Sequence, residues 1–255
     1  PNADEINFQG ELPSRDILQA LPKCVTILDI RKTSDTDFSS SWVVAQNLPQ
    51  LADPLFQGCY LPSLTTLWMT TSEPQFAPTA LSSWAPSLAR LMLRGYSIPK
   101  DWFSNCSRTL PPSIESLSLI TVGHFPNDLD FQCLSRHCPR LRKMELKLTT
   151  ASDSEMLERS LLSLPPKLHQ LHLVIANRGE IPGRLELGAN FGRCLPPGLR
   201  RLSCYETTTP TNTDNQKAFF SNLPRSLQVF DVGGASPTFV PYFSPHSRPK
   251  PSPLE

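Results

Sequence analysis

The sequence lacks a charge excess of either sign and any long hydrophobic run. Its 24 basic and 23 acidic residues leave a net charge of +1, so there is no overall field of the kind that draws a protein to nucleic acid or to an anionic membrane. No apolar run approaches the roughly 18 to 20 residues that span a bilayer. We therefore expect a soluble protein without membrane contact, and nucleic acid is not the favoured partner.

Motifs of known enzymes and of metal sites are also missing. The chain has no phosphate loop, dinucleotide fingerprint, nucleophile elbow or zinc-hydrolase motif. Its seven cysteines form no CxxC pair, and in "CLSRHC" the neighbours Cys133, His137 and Cys138 have no partner set at ligand spacing. We expect no enzymatic activity, no metal and no cofactor. Free thiols beside apolar residues favour a reducing compartment, and we expect the cytoplasm.

What the sequence does contain is a repeat. The segment "LPPSIESLSL" at 110–119 returns as "LPPKLHQLHL" at 164–173 and "LPPGLRRLSC" at 195–204. The shared pattern is apolar-x-x-apolar-x-apolar, and its first apolar residue, here called the anchor, recurs at intervals of 39, 24, 26, 27, 27, 31 and 28 residues. The anchors are Val25, Leu64, Leu88, Ile114, Leu141, Leu168, Leu199 and Leu227.

Each unit predicts a short strand whose alternate residues point inward, preceded by a proline that fixes an extended backbone. The intervals leave room for helices between strands. In "TDNQKAFFSNL" we expect a capping box formed by Thr213 and Gln216, with Phe219, Phe220 and Leu223 facing the core. In "SDSEMLERSLLSL", Ser152 to Glu155 has the spacing of a second capping box. Since one unit cannot bury enough apolar surface to fold alone, the units must stack.

The strand segments "LTTLWM", "LARLML", "IESLSL", "LHQLHL" and "LRRLSC" resemble the L-x-x-L-x-L core of leucine-rich repeats, and "LPPSI" and "LPRSL" are similar to the LP-x-SL spelling of intracellular members. The resemblance covers about residues 20–233. It implies an α/β fold, a curved leucine-rich-repeat solenoid with parallel strands on the concave face and helices or irregular turns on the convex face. The mean period is similar to ribonuclease-inhibitor-like and cysteine-containing repeats.

The resemblance is incomplete at the position eight residues after the anchor, where such repeats usually carry Asn or Cys. That position holds other residue types here, so we expect loops whose path varies from unit to unit. It is occupied by Ser72, Tyr96, Val122, Thr149, Ala176 and Thr207.

The predicted organisation has three parts. Residues 1–19 form an N-terminal cap or an artificial extension, and residues 20–233 form a repeat domain of about eight units with an insertion near 31–60. Residues 234–255 form a proline-rich tail. The aromatic residues Phe239, Tyr242 and Phe243 in this tail either cap the last coil or belong to a ligand for another protein.

We expect the binding surface to be formed by the strand residues that lie between the inward-facing leucines. In the pattern L-x-x-L-x-L-x, the third, fifth and seventh residues face away from the core. These positions hold aromatic, Met and Arg residues that are over-represented in protein-binding hot spots, and cations that give the middle of the surface a positive bias. The candidate partner-binding residues are Trp68, Arg90, Met92, Arg94, Lys143, Glu145, Lys147, His172, Arg201 and Tyr205.

The leading hypothesis is a non-catalytic module that binds a polypeptide, with an acidic segment as one form of partner. A narrower version, implied by the resemblance, is a substrate-recognition or adaptor subunit of a ubiquitin ligase, whose F-box would lie outside this chain. The alternative is a nucleic-acid-binding solenoid that uses the basic central surface. The structural alternative for Trp68 is packing against the insertion at 31–60.

Overall fold

A computed structural model describes residues 4–10, 13–31, 56–76, 80–97, 102, 109–120, 131–150, 158–159, 161–177, 185–205 and 207–232. Most of the predicted insertion, the second capping box and the proline-rich tail with its aromatic residues lie outside these ranges. Within the described part of the chain, no helix is long and apolar enough to cross a membrane.

The fold is built on one sheet of nine parallel strands, which confirms an α/β architecture compatible with a repeat solenoid. The strand order in the sheet is β1-β2-β3-β4-β5-β6-β7-β9-β11, and a separate pair joins β8 to β10. The strands are β1 Glu5–Gln9, β2 Ile27–Arg31, β3 Thr66–Phe76, β4 Arg90–Ser97, β5 Ser116–Ile120, β6 Lys143–Thr150, β7 Gln170–Asn177, β8 Leu185–Glu186, β9 Arg201–Tyr205, β10 Thr207–Thr208 and β11 Val229–Val232.

Strand β1 is an addition to the predicted units. It pairs in parallel with β2, from Glu5 opposite Ile27 to Gln9 opposite Arg31. The repeat spacing does extend to this strand, since Ala3, Ile6 and Phe8 follow apolar-x-x-apolar-x-apolar, but the anchor position holds only a small residue and the predicted repeat domain began at residue 20. Eight further strands of the main sheet each begin two residues after one of the predicted anchors.

A tight turn precedes each of these eight strands. The anchor N–H donates to the carbonyl three residues earlier, as from Leu64 to Leu61 at 3.1 Å and from Leu168 to Pro165 at 3.1 Å. In six of the turns a proline occupies the second position, where its fixed φ favours turn formation. An extended backbone was expected at the proline, but the structure has a β-turn there.

The core lies between the sheet and the helices that follow its strands. Strand residues at the second and fourth aligned positions are all apolar, and in the central strands they are almost fully buried, as Leu117 and Leu119 show at 1% and 0% exposure. Helical residues such as Leu134 and Phe219 close the core from the other side. The α-helices are Arg15–Gln19, Leu81–Trp84, Gln132–His137 and Thr213–Asn222, and Phe191–Cys194 is a 3-10 helix.

Two expectations for the last helix were wrong. Its N-cap is Asn212, one residue before the predicted Thr213, because the Asn212 carboxamide oxygen accepts hydrogen bonds from the N–H groups of Asp214 and Asn215. Phe219 is buried as predicted, but the neighbouring Phe220 is 49% exposed. Successive helical side chains point about 100° apart, so only one of the two rings can face the core.

The expected variation in loop path falls largely on residues outside the described ranges. The side chain at the position eight residues after the anchor is described in one coil, where it is Thr207. At the position where an asparagine would stand, Thr207 is fully buried and its hydroxyl donates to the Cys204 carbonyl at 3.1 Å. This hydrogen bond stays within one coil and does not link neighbouring coils.

Close packing near the C-terminal end of the sheet generates a stability prediction. A Cβ atom on Gly192 would lie 2.6 Å from the main-chain carbon of Asn222, which cannot swing aside, whereas one on Gly198 would meet only the Pro166 carbonyl oxygen at 3.6 Å. We expect Gly192→Ala to lower the free energy of unfolding by about 1 to 3 kcal/mol. Gly198→Ala should change it by about 1 kcal/mol or less, in either direction.

Urea unfolding followed by circular dichroism measures both variants. Both change glycine to alanine, so a difference between them reports the space available in the folded state. Equal unfolding midpoints would contradict the close approach of the 3-10 helix to the end of helix Thr213–Asn222.

Candidate functional site

The face of the main sheet that points away from the core, here called the outer sheet face, carries all ten candidate residues. They occupy the first, third and fifth aligned positions of the strands, which the in-register pairing arranges in three rows across the sheet. The first row contains Arg90, Lys143 and Arg201, the middle row contains Trp68, Met92, Glu145 and His172, and the third row contains Arg94, Lys147 and Tyr205.

The first row presents cations on alternate strands. Arg90, Lys143 and Arg201 are exposed, and the shorter polar residues Ser116 and Gln170 stand between them. Adjacent strands lie about 4.8 Å apart, so these positions recur about every 10 Å. The sheet thus holds a line of positive charges at fixed spacing.

The middle row begins with large apolar groups. Trp68 lies beside Met92 on the adjacent strand, and Met92 is 9% exposed. Next to Met92 is Ser118, which is 3% exposed and donates its hydroxyl to a carboxylate oxygen of Glu145 at 2.8 Å. The middle of the face is therefore closely packed, with much of its side-chain surface already removed from water.

Glu145 is the acidic residue at the centre of the face. Burial raises the pKa of its carboxyl above the ordinary value, while the hydrogen bond from Ser118 and the positive charge of Arg94 act in the opposite direction. An acidic group in this position offsets part of the positive charge around it. Its bond to Ser118 links β5 to β6 across the face.

A polar cluster occupies the end of the middle and third rows. The rings of His172 and Tyr205 lie 4.8 Å apart, and the Tyr205 hydroxyl donates to an Asp231 carboxylate oxygen at 3.3 Å. Burial lowers the pKa of His172, and the negative charge of Asp231 raises it by a smaller amount. The surroundings of His172 therefore favour its neutral form, and the nearby acid moderates this effect.

Toward the other end of the outer sheet face, a charged pair lies within β2. The Arg31 guanidinium donates from Nε to one carboxylate oxygen of Asp29 at 2.9 Å and from a terminal nitrogen to the other. Asp29 is 1% exposed, so its charge is satisfied by this two-bond contact. In the strand register, Asp29 lies opposite Trp68 of β3.

The selection of candidates from the sequence omitted three residues that shape this surface. They are Asp29, Ser118 and Asp231. Each is the fifth residue of its repeat pattern counted from the anchor, and so belongs to the middle row. Asp231 stands four residues after the anchor Leu227 and follows the same outward alternation, so the pattern contained the signal. Their role in neighbouring contacts depends on side-chain distances, which the pattern does not provide.

Of the residues weighed as metal ligands, the two cysteines of "CLSRHC" contribute to the core. Cys133 and His137 lie on helix Gln132–His137, and the buried Cys138 follows it, with a pKa that burial raises to about 12. Across the described ranges, no three His, Cys, Asp or Glu side chains come together in a way that could hold a metal ion.

The His172 environment generates a prediction for titration. Because the pKa of His172 in the folded protein lies below the ordinary 6.5, the unfolded chain takes up its proton first as the pH falls. The contribution of His172 to the free energy of unfolding should therefore decrease as the pH falls below about 6.5. Asp231→Asn should lower the pKa of His172 further, since it removes the charge that raises it.

The ring signals of His172 in an NMR titration, assigned with a His172→Gln variant, measure this shift. Asp214→Asn, an equal change of charge on the exposed side of helix Thr213–Asn222, is the control and should leave the titration unchanged. A pKa at or above 6.5, or a rise in the Asp231→Asn variant, would show that the cluster is arranged differently.

Comparison with known proteins does not place the chain in a family. No protein-family model matches it, and no curated protein matches it at a significant level.

Proposed function

We propose that this chain is a leucine-rich-repeat solenoid that binds a polypeptide partner on its outer sheet face, without catalysis. The observation that carries the proposal is the combination of exposed cations at fixed spacing with a row containing Trp68 and Met92, all on one face of one sheet. Such a mixture of Arg, Trp, Tyr and Met is typical of the energetically important part of protein interfaces.

The repeat organisation supports the family part of the proposal. Consecutive units add consecutive parallel strands, each begins at the same aligned position, and a turn with a recurring proline precedes it. In the proposed solenoid the outer sheet face is the concave one. Repeat proteins of this architecture offer extended binding surfaces because neighbouring units place equivalent residues side by side.

The rigidity of the surface supports a binding role. Behind the outer sheet face, Leu91, Leu117 and Leu171 are 1% to 2% exposed, so the strands rest on a packed core. Contacts from Ser118 to Glu145 and from Tyr205 to Asp231 further fix the outward side chains. A surface ordered before binding loses less conformational entropy when the partner arrives.

Charge suggests the chemistry of the partner. The central strands carry Arg90, Arg94, Lys143 and Lys147, and Glu145 is the acid among them, with its hydrogen bond to Ser118 already formed. A partner segment with carboxylates would complement this surface and associate faster at low salt. The narrower version of the proposal, substrate recognition or an adaptor role for a ubiquitin ligase, rests on the resemblance alone.

The test is affinity capture with wild-type protein and a variant carrying Trp68→Ala, Arg94→Glu and Tyr205→Ala. We expect the variant to lose a protein partner that the wild type retains, because loss of even one anchoring residue at an interface costs about 1 to 3 kcal/mol. Mass spectrometry identifies the partner, and titration with the purified partner measures the loss, expected to exceed tenfold.

The matched control carries Phe220→Ala, Arg136→Glu and Tyr60→Ala, three exposed residues away from the outer sheet face. It removes similar side chains and makes the same change of charge. Circular dichroism confirms that all three proteins fold. Equal capture by both variants would place binding elsewhere, and capture that disappears after nuclease treatment would favour the nucleic-acid alternative.

A further inference from the structure

The end of the main sheet at which its strands begin carries a cluster of cations, most of which are not among the ten candidate residues. It is formed by the turns and first strand residues of the coils that contain β6, β7, β9 and β11. Their sequences are "PRLRK" at 139–143, "PKLHQ" at 166–170, "PGLRR" at 197–201 and "PRSLQV" at 224–229, and none contains an acidic residue. The cluster, here called the basic rim, consists of Arg140, Arg142, Lys143, Lys167, Arg200, Arg201 and Arg225.

Main-chain hydrogen bonds bring these segments side by side. The Arg142 carbonyl accepts from the N–H groups of His169 and Gln170 at 2.8 and 3.0 Å, and the Arg200 N–H donates to the His169 carbonyl at 2.8 Å. The Arg200 carbonyl in turn accepts from Gln228 at 2.8 Å. Each coil therefore lies directly against the next at the rim.

Turn geometry fixes the outermost members. Arg140 and Lys167 occupy the third position of consecutive turns, each closed by the N–H of the following anchor. In the last two coils the turns also touch, since the Ser226 hydroxyl lies 2.7 Å from the Pro197 carbonyl oxygen. Because the turns are in contact, their exposed side chains extend from one continuous edge.

Most of the rim is accessible to a partner. Arg140, Lys143, Lys167, Arg200, Arg201 and Arg225 are exposed. Arg142 is half-buried and donates to the carbonyls of Pro139 and Leu141.

The size of the rim limits what it can hold. Four coils at about 4.8 Å give a width near 14 Å, and the three residue steps from Arg140 to Lys143 add about 10 Å in the other direction. An extended peptide of four or five residues covers this width. The next coil toward the N-terminus carries the exposed Glu115 at the same edge, which ends the positive surface and would repel a longer polyanion.

We propose that the basic rim binds a short acidic peptide segment of a protein partner. Arginine and lysine side chains pair with carboxylates, and arginine does so through two parallel hydrogen bonds. The rim residues include no Phe, Tyr or Trp on which the bases of a single-stranded nucleic acid could stack, which favours the peptide over nucleic acid. This inference goes beyond the proposed function, because five of the seven cations lie outside the outer sheet face.

The experiment measures binding of fluorescently labelled hexaglutamate by anisotropy at about 0.05 and 0.15 M NaCl. The rim variant carries Arg140→Gln, Lys167→Gln and Arg200→Gln, which removes charge and leaves the ten residues of the outer sheet face intact. We expect its dissociation constant to rise about tenfold. The matched control carries Lys23→Gln, Arg136→Gln and Lys217→Gln, an equal loss of charge at exposed positions, and should bind within about twofold of wild type.

Hexaglutamine and a six-nucleotide oligothymidine are the comparison probes. Binding of hexaglutamate but not hexaglutamine, lost in the rim variant only, supports the proposal. Equal weakening in both variants would reduce the effect to overall charge and overturn it, as would no binding by wild type or tighter binding of the oligonucleotide. Unchanged binding by the rim variant would also overturn the proposal, because it would place hexaglutamate on the outer sheet face, whose Trp68, Arg94 and Tyr205 are intact in that variant.

Discussion

The hydrogen bonding between consecutive coils is the constraint on which the rest of the structure depends. At each of the eight junctions of the main sheet, one main-chain carbonyl just before a strand accepts two N–H groups from the next coil. Both bonds can form only if successive strands start at the same level. Because side chains alternate along a strand, a shift of one residue at any junction would place the leucines of that coil on the outside.

This register separates the two faces of the sheet and makes each coil depend on its neighbours. An inner coil is covered on both sides, and its anchor, such as Leu141 or Leu168, is fully buried. In the last described strand the anchor Leu227 and the core-facing Phe230 are only half-buried, although they occupy equivalent positions. No described strand follows β11, and the lower burial of Leu227 and Phe230 fits the cover that a following coil gives to the inner anchors.

The sequence was most informative where the same physical demand recurs in every coil. The anchors, the strand starts and the outward direction of Trp68 and Lys143 all follow from one alternation tied to one turn. Features that occur once were missed. Strand β1 departs from the other units because a small residue, Ala3, stands at the anchor position, and the Asn212 cap is set by a local side-chain bond. Pairs such as Ser118 with Glu145 depend on the distance between two coils, which neither coil encodes alone.

Repetition also explains how a chain with a net charge of +1 acquires one strongly basic edge. Total charge averages over all surfaces, whereas the register stacks equivalent positions of successive coils about 4.8 Å apart. A preference for Arg or Lys at the same few turn positions, as at Arg140 and Lys167, is therefore concentrated into one patch. Such like charges repel one another within the Debye length of about 8 Å at physiological salt. An acidic ligand would relieve that repulsion. The same charges that attract the ligand would therefore also make the folded protein more stable once the ligand is bound.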